Sequence, residues 1–338
     1  IRTQAIYSLE QGKTFYTSNA GLPVLRQEIC KYVERKYNVS YNPKNEILIT
    51  VGGSEAIDMG LRCVLDPGDE VIIPQPAYVS YEPCTIMAGG KPVIIDLKAE
   101  NEFRLTPEEL EAAITPKTKV LILPFPNNPT GAIMEAKDLE AIIPIIIKHD
   151  LIVMSDEIYA ELTYTGKHVS IASYPGMKER TILINGFSKA FAMTGWRLGY
   201  ACGPAEIIEQ MTKLHQYAIM CAPTLSQYGA IEAVKNSDEE VENMVKQYNQ
   251  RRRFLLSELE RLGLDCFEPG GAFYVFPSIK KTGMTSEEFA TKLLESQKLA
   301  VVPGNAFGRS GEGFIRISYA YSIDNLKEGI RRIEEFLK

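Results

Sequence analysis

The sequence predicts an α/β protein: a mostly parallel, seven-stranded sheet flanked by helices, joined to a smaller α+β unit at the C-terminal end. Three observations point there. From residue 46 to about residue 204, short apolar runs alternate with amphipathic stretches, the pattern of strand–helix units stacked on a parallel sheet. Several of these runs are apolar throughout instead of alternating, as expected for strands covered on both faces. Beyond residue 204 the order changes to consecutive helical stretches and then short strands. A chain of 338 residues is near the size at which one core stops growing, so one large or two unequal domains fit.

Strands are expected at 46–51, 70–73, 92–97, 119–123, 151–155, 181–185 and 198–202. Helices are expected between them at Pro23–Tyr37, Glu55–Leu65, Val79–Ala88, Pro107–Ile114 and Glu135–His149. Thr106 ahead of Pro107 and two glutamates is a strong helix start, with a cap, a pre-set φ and acids in the first turn. Three further helical stretches run to Leu262, the last from about Asp238. Short strands are expected at Leu264–Phe267, Ala272–Phe276, Leu299–Val302 and Phe314–Ser318, with helices at Ser286–Ser296 and Ile323–Leu337. This divides the chain into a large domain over residues 1–245 and a small one over 246–338. The Arg251-Arg252-Arg253 run reads as a solvated helix face.

Composition excludes several classes. Apolar residues make up 45% and charged residues 24%, so disorder and collagen are out. With 37 Lys and Arg against 43 Asp and Glu, the formal charge is -6, which gives no broad footprint for nucleic acid. The cysteines at 30, 63, 84, 202, 221 and 266 form no C-x-x-C pair, and His149, His168 and His215 are far apart, so no metal site is expected. The apolar run at 141–147 is well short of the roughly 18 residues a membrane span needs. No membrane partner and a cytoplasmic location are the expectations.

In open parallel sheets ligands bind beyond the carboxyl ends of the strands. After the first strand come Gly52-Gly53-Ser54-Glu55, opening a helix. Such a turn offers close backbone approach and free N–H donors, and equally serves as a plain tight connection. Pro124-Phe125-Pro126-Asn127-Asn128-Pro129-Thr130-Gly131 makes a stiff loop in which Asn128 both donates and accepts. Asp156, at the end of a buried apolar strand, needs a cationic partner or serves as a helix cap. Lys189 follows another strand, amid Gly, Ser and aromatic residues, with the only Trp and Arg197 close behind. A desolvated lysine forms Schiff bases readily.

The stretch Gly186–Gly199 resembles, position by position, the pyridoxal-phosphate lysine motif of the class I/II aminotransferases, which have the aspartate aminotransferase fold (fold type I). Supporting matches occur in the family's order along nearly the whole chain. They are Tyr16, Gly21-Leu22-Pro23 and Leu25-Arg26; Gly52-Gly53-Ser54-Glu55-Ala56; Asn128-Pro129-Thr130-Gly131; Asp156-Glu157-Ile158-Tyr159; Pro269-Gly270-Gly271-Ala272-Phe273-Tyr274; and Ile315-Arg316-Ile317-Ser318-Tyr319. The resemblance implies that Lys189 anchors pyridoxal 5′-phosphate and shuttles a proton. It implies that Asp156 pairs with the pyridinium nitrogen, and that Tyr159 and Asn128 bond the cofactor's 3′-oxygen. Gly53, Ser54, Ser188 and Arg197 would hold the phosphate, and Tyr78 would stack on the ring. Arg316 would grip the substrate's α-carboxylate. Tyr16 would reach the phosphate of a neighbouring subunit, which implies a homodimer. A cis Asn128-Pro129 bond is also implied.

The chain opens on Ile1, and family members usually carry a further N-terminal segment of several tens of residues, with a glycine loop that touches substrate. A longer natural chain is therefore expected. The implied activity is ping-pong transfer of an amino group from an L-amino acid, aspartate or aromatic, to a 2-oxo acid such as 2-oxoglutarate. Phe273, Tyr274 and Tyr319 would suit an aromatic donor and read equally as core. Other readings keep the cofactor and change the reaction to a lyase or decarboxylase, or keep the fold as a non-catalytic cofactor-binding module. A serine hydrolase using Ser54, with Asp156 and His215, is a further alternative, and it leaves Lys189 and Arg316 without roles.

Overall fold

The computed structural model describes residues 1–338. All seven expected strands of the large sheet form: β1 (Ile47–Thr50), β2 (Glu70–Gln75), β3 (Lys91–Asp96), β4 (Thr118–Leu123), β5 (Ile152–Asp156), β6 (Thr181–Gly186) and β7 (Gly199–Cys202). They lie in the order β1-β7-β6-β5-β4-β2-β3. Every pairing is parallel except those of β7, which runs antiparallel to both β1 and β6. The reversal matters for position. It brings the start of β7, and Arg197 just before it, to the edge where the other strands end.

The helices are α1 (Arg2–Glu10), α2 (Pro23–Tyr37), α3 (Gly53–Val64), α4 (Tyr81–Met87), α5 (Pro107–Ala113), α6 (Ala136–Lys148), α7 (Ala205–Ala218), α8 (Thr224–Asn236), α9 (Asp238–Arg261), α10 (Ser286–Gln297) and α11 (Ile323–Leu337). Helix α5 starts with the capping box that its sequence predicts: the Glu109 amide donates to the Thr106 hydroxyl, and the Thr106 amide donates to the Glu109 carboxylate. The apolar run at 141–147 is part of α6, which buries Leu139, Ile142 and Ile146 on one face. Helix α1 was not foreseen, because its nine residues carry no apolar stripe and no side-chain cap.

Helices cover both faces of the large sheet. On one side Ile72, Leu121 and Val153 pack with Leu139, Ile142 and Ile146; on the other Val71, Val120 and Ile182 pack with Ile57, Leu61 and Met211. Burial on two faces is why these strands read as apolar throughout.

A second sheet, β8 (Tyr274–Val275), β10 (Ile315–Ser318) and β9 (Val302–Pro303), is antiparallel, with β10 in the middle. Its core is separate: Leu255 and Leu259 of α9 pack with Phe289, Leu293, Ile330 and Ile333. The expected strand at Leu264–Phe267 does not form. Leu264 faces this second core while Phe267 packs against Phe103 in the first, so the segment bridges two cores and joins neither ladder.

The arginine run on α9 also departs from expectation. Arg252 is buried; it donates to the Glu268 carboxylate at 2.7 Å, the Pro269 carbonyl at 2.9 Å and Asn249 at 3.0 Å. It ties α9 to the turn that leads into β8. Only Arg253 of the three is exposed. No helix is long and apolar enough to cross a membrane.

Candidate active site

Five parallel strand ends and the start of β7 converge on one cavity of about 350 Å³. Gly53 and Ser54 come from the end of β1, Tyr78 from the segment after β2, Asn128 from the loop after β4, and Asp156 and Tyr159 from β5 and its sequel. Ser188 and Lys189 follow β6, and Arg197 precedes β7. Arg316 reaches in from β10 of the second sheet. Of the residues that the resemblance assigns to cofactor and substrate, all line this cavity except Tyr16, which is 77% exposed elsewhere on the surface.

Two glycines make the wall at β1 possible. Gly52 has φ +81°, and a Cβ there would sit 2.7 Å from a guanidinium nitrogen of Arg197. A Cβ on Gly199 would come within 2.6 Å of the Gly52 backbone. Strand β7 and the β1 turn are thus pressed together, and Arg197 lies over the N-terminus of α3, a ready anion-binding end. Arg197 itself has φ +47° and donates to the Thr194 carbonyl at 3.0 Å. Behind the turn, Glu55 accepts from the Val51 amide and from Nδ1 of the buried His215, at 2.7 Å.

That pairing dismantles the hydrolase alternative. His215 is engaged with Glu55, its Nε2 has no partner, and the Ser54 hydroxyl faces only the Tyr78 hydroxyl at 3.4 Å. Asp156, for its part, accepts from Tyr81. No Ser–His–Asp relay is assembled.

Asp156 closes the floor. Its carboxylate accepts from the Tyr81 hydroxyl at 2.8 Å and the Ile158 amide at 3.2 Å, and no cation of the chain pairs with it. Burial pushes its pKa from 3.8 up to about 6, against those two hydrogen bonds. Across the cavity, burial first, and then the charges of Arg316 and Arg197, lower the pKa of Lys189. Its ammonium faces the rings of Tyr159 and Phe273, at 5.6 and 5.5 Å from their centroids, rather than a carboxylate. A lysine so placed is neutral more readily than one in water, which suits a nucleophile.

Arg316 is held from three sides. Nη1 donates to Asn128 Oδ1 at 2.8 Å, and the guanidinium carbon lies 4.5 Å from the Tyr274 ring centroid and 4.8 Å from that of Phe307. Its Nε is buried with no partner. The Asn128-Pro129 bond is cis, as expected, and so are Gln75-Pro76 and Phe125-Pro126.

Sequence reasoning missed Tyr81, three residues beyond Tyr78, since a buried aromatic looks like core until its hydroxyl is seen on Asp156. Tyr274, which reads equally as pocket aromatic or core, lines the cavity and hydrogen-bonds Tyr159 at 2.9 Å between hydroxyls. The two aromatics grouped with it do not line the cavity. Tyr319 is fully buried against Tyr164 and Tyr248, and Phe273 packs against Tyr248 and Tyr274 beneath the Lys189 ammonium.

Known proteins point the same way. The model of the family described as aminotransferase class I and II matches residues 2–333. An aspartate aminotransferase of Pyrococcus abyssi is 48% identical over all of this chain and 88% of its own length. An aromatic-amino-acid aminotransferase of Thermococcus litoralis is 46% identical, again over all of this chain and 88% of its own length. The crystal structure of an aromatic aminotransferase from Pyrococcus horikoshii superposes with a TM-score of 0.98 at 46% identity, covering 99% of this chain and 91% of that one.

Proposed function

Because this chain belongs to the class I and II aminotransferase family, we propose that it carries the amino group of aspartate or an aromatic L-amino acid to a 2-oxo acid such as 2-oxoglutarate, in two half-reactions, with pyridoxal 5′-phosphate held at Lys189. The observation behind this reading is the gathering of Lys189, Asp156, Arg197 and Arg316 around one cavity. The residues fit the cofactor. Asp156 is a buried carboxylate with only neutral donors, the setting that a protonated ring nitrogen would neutralise. The glycine turn, Ser54, Ser188 and Arg197 offer donors of the kind a phosphate takes.

When bound, pyridoxal phosphate supplies an electron-accepting ring that stabilises negative charge at the substrate's Cα. The chain does the rest. Arg316 pairs with the substrate carboxylate, and Asn128 and the two rings keep the guanidinium from swinging. Fixing the carboxylate fixes Cα, the kind of orientation that lowers a barrier without new chemistry. Lys189 Nζ, its affinity for a proton lowered by burial, would take the proton from Cα and deliver it to the cofactor's C4′ carbon, so that the amino group leaves with the cofactor. Tyr78 would cover one face of the ring and Tyr159 would donate to its oxygen; both line the cavity.

We also read the protein as a homodimer. Tyr16, Phe15 and Tyr217 are 77%, 65% and 85% exposed, a surface that a second copy would cover, with Tyr16 reaching the neighbouring site. The large and small domains would be 1–245 and 246–338, sharing α9 as a strut. All six cysteines are free, which supports a reducing, cytoplasmic compartment.

The test is an absorption spectrum of the purified protein before and after borohydride, with peptide mapping, followed by a screen of amino donors. A chromophore fixed on Lys189, with keto acid and aminated acceptor formed from aspartate or an aromatic donor, is the expected result. Release of ammonia or carbon dioxide, or a protein that takes up no chromophore, would overturn it.

A further inference from the structure

Two halves of the cavity meet at Tyr274, whose ring has been set against Arg316 and whose hydroxyl has been given no role. Tyr274 is buried at the start of β8, paired with Ser318 in the strand that carries Arg316. Its hydroxyl is 2.9 Å from that of Tyr159, and its ring centroid is 4.5 Å from the guanidinium carbon of Arg316. We propose that Tyr274 is a positioning residue for both sides of the site: its hydroxyl donates to Tyr159 and strengthens Tyr159 as a donor to the cofactor's ring oxygen, while its ring holds Arg316 in line for the substrate carboxylate.

The direction of the hydroxyl pair follows from charge. A cation packed on a phenol ring makes that phenol the stronger acid, and Arg316 packs on Tyr274. Burial raises both phenols, and Arg316 opposes the rise at each. Tyr159, which adjoins Asp156, is lifted well above its ordinary value. The stronger acid donates, so the Tyr159 proton is left free to point into the cavity. A hydrogen bond received by a hydroxyl polarises it and strengthens the bond it donates. The second half is geometric: with Phe307 at 4.8 Å, the Tyr274 ring forms a slot for a planar cation, a contact that a desolvated arginine gains most from.

This rests on the reading that Tyr159 faces the ring oxygen and Arg316 the carboxylate. The experiment uses holoenzyme and two variants. In the first, Tyr274→Phe, the ring stays and the hydroxyl goes. A donor to the ring oxygen stabilises negative charge there and weakens its hold on the proton of the adjacent nitrogen. Losing part of that donor moves the pH midpoint of the bound cofactor's absorption upward, by roughly half a unit for one ordinary hydrogen bond. KM for the amino donor stays near wild type. In the second, Tyr274→Leu, the same upward shift comes with a KM raised about tenfold by the lost cation–ring contact. Tyr159→Phe, as a reference, shifts the midpoint further than Tyr274→Phe.

The other ionisable groups around the pair are Asp156 from β5, Lys189 after β6, Arg316 from β10, Tyr78 and Tyr81 after β2, and Tyr248 from α9. Both variants leave all of them in place. An unshifted midpoint in a coloured Tyr274→Phe enzyme overturns the hydroxyl role. A Tyr274→Phe enzyme whose KM rises about tenfold over wild type overturns the ring's role, a reading that does not need the Leu variant to fold, and so does a folded Tyr274→Leu enzyme with wild-type KM. A wild-type protein that takes up no cofactor overturns the underlying reading, and this inference with it.

Discussion

Two buried charges, Asp156 and Arg252, are handled in opposite ways. Arg252 lies between α9 and the turn before β8, and its guanidinium donates to a carboxylate, a backbone carbonyl and an amide while stacking on Tyr164. Asp156 sits at the end of β5, faces a cavity, and has one phenol and one backbone amide for company. A charge with its partners supplied by the chain holds the fold together. A charge left short of its counter-ion holds a place for something else, and its raised pKa records the cost. Lys189 and Arg316 belong with Asp156: one ammonium faces rings, and one guanidinium keeps a buried nitrogen without a partner.

If the contrast is sound, mutations at the under-partnered charges damage chemistry, and mutations at Arg252 damage stability. The largest effect is expected at Lys189. Lys189→Ala should lower turnover by roughly 10⁴-fold or more, since the proposed anchor and the proposed proton carrier are lost together. Its melting temperature should stay near wild type. Steady-state rates and a thermal melt check this, and a variant keeping a tenth of wild-type turnover would break the comparison.

Arg316→Ala comes next. Two charge-assisted hydrogen bonds to a carboxylate are worth about 3–6 kcal/mol, so kcat/KM should fall by roughly 10²- to 10⁴-fold. An unchanged kcat/KM would remove Arg316 from the site. Arg252→Ala reverses the pattern. Denaturant unfolding should show a loss of about 2–4 kcal/mol, from the stranded carbonyl and the lost packing of the side chain. The folded fraction should turn over near the wild-type rate. A stable but inactive Arg252→Ala protein would mean that buried, satisfied charges also serve the chemistry here.

The same distinction explains what was legible in the sequence. Strands covered on both faces announce themselves, and all seven were placed to within a residue or two. The residues around the cavity were visible because they cluster at strand ends within a motif-rich stretch. What escaped depends on long-range pairing. Arg252, in a run of three arginines, looks solvated until Glu268 and the Pro269 carbonyl are folded onto it, sixteen and seventeen residues away. Tyr81 and Tyr274 pass for core because an aromatic ring beside apolar residues packs as readily as it lines a site. Only the tertiary structure brings their hydroxyls to Asp156 and Tyr159. Leu264–Phe267 is apolar enough for a strand, yet two different cores compete for its side chains.

The smallest effect is the most diagnostic, because it goes against intuition. In the cofactor-free protein Asp156 has a folded pKa of about 6 against an ordinary 3.8, so between those values the folded state binds more protons than the unfolded state. The contribution of Asp156 to stability therefore falls as pH rises from about 4 to 6, with a penalty of up to about 3 kcal/mol above that window. Asp156→Asn removes the ionisation while keeping an acceptor for Tyr81. Above pH 6 it should be more stable than wild type by about 1–3 kcal/mol, and the gap should close below pH 4, where the wild-type carboxyl is already neutral. Bound cofactor should invert the order, because a protonated ring nitrogen would stabilise the Asp156 carboxylate and leave the asparagine unpaired. Thermal melts of both proteins across this pH range, with and without pyridoxal phosphate, separate these cases. A wild-type protein that matches or exceeds the Asn variant at pH 7 without cofactor would show that Asp156 already has its counter-ion within the chain, and would place it beside Arg252.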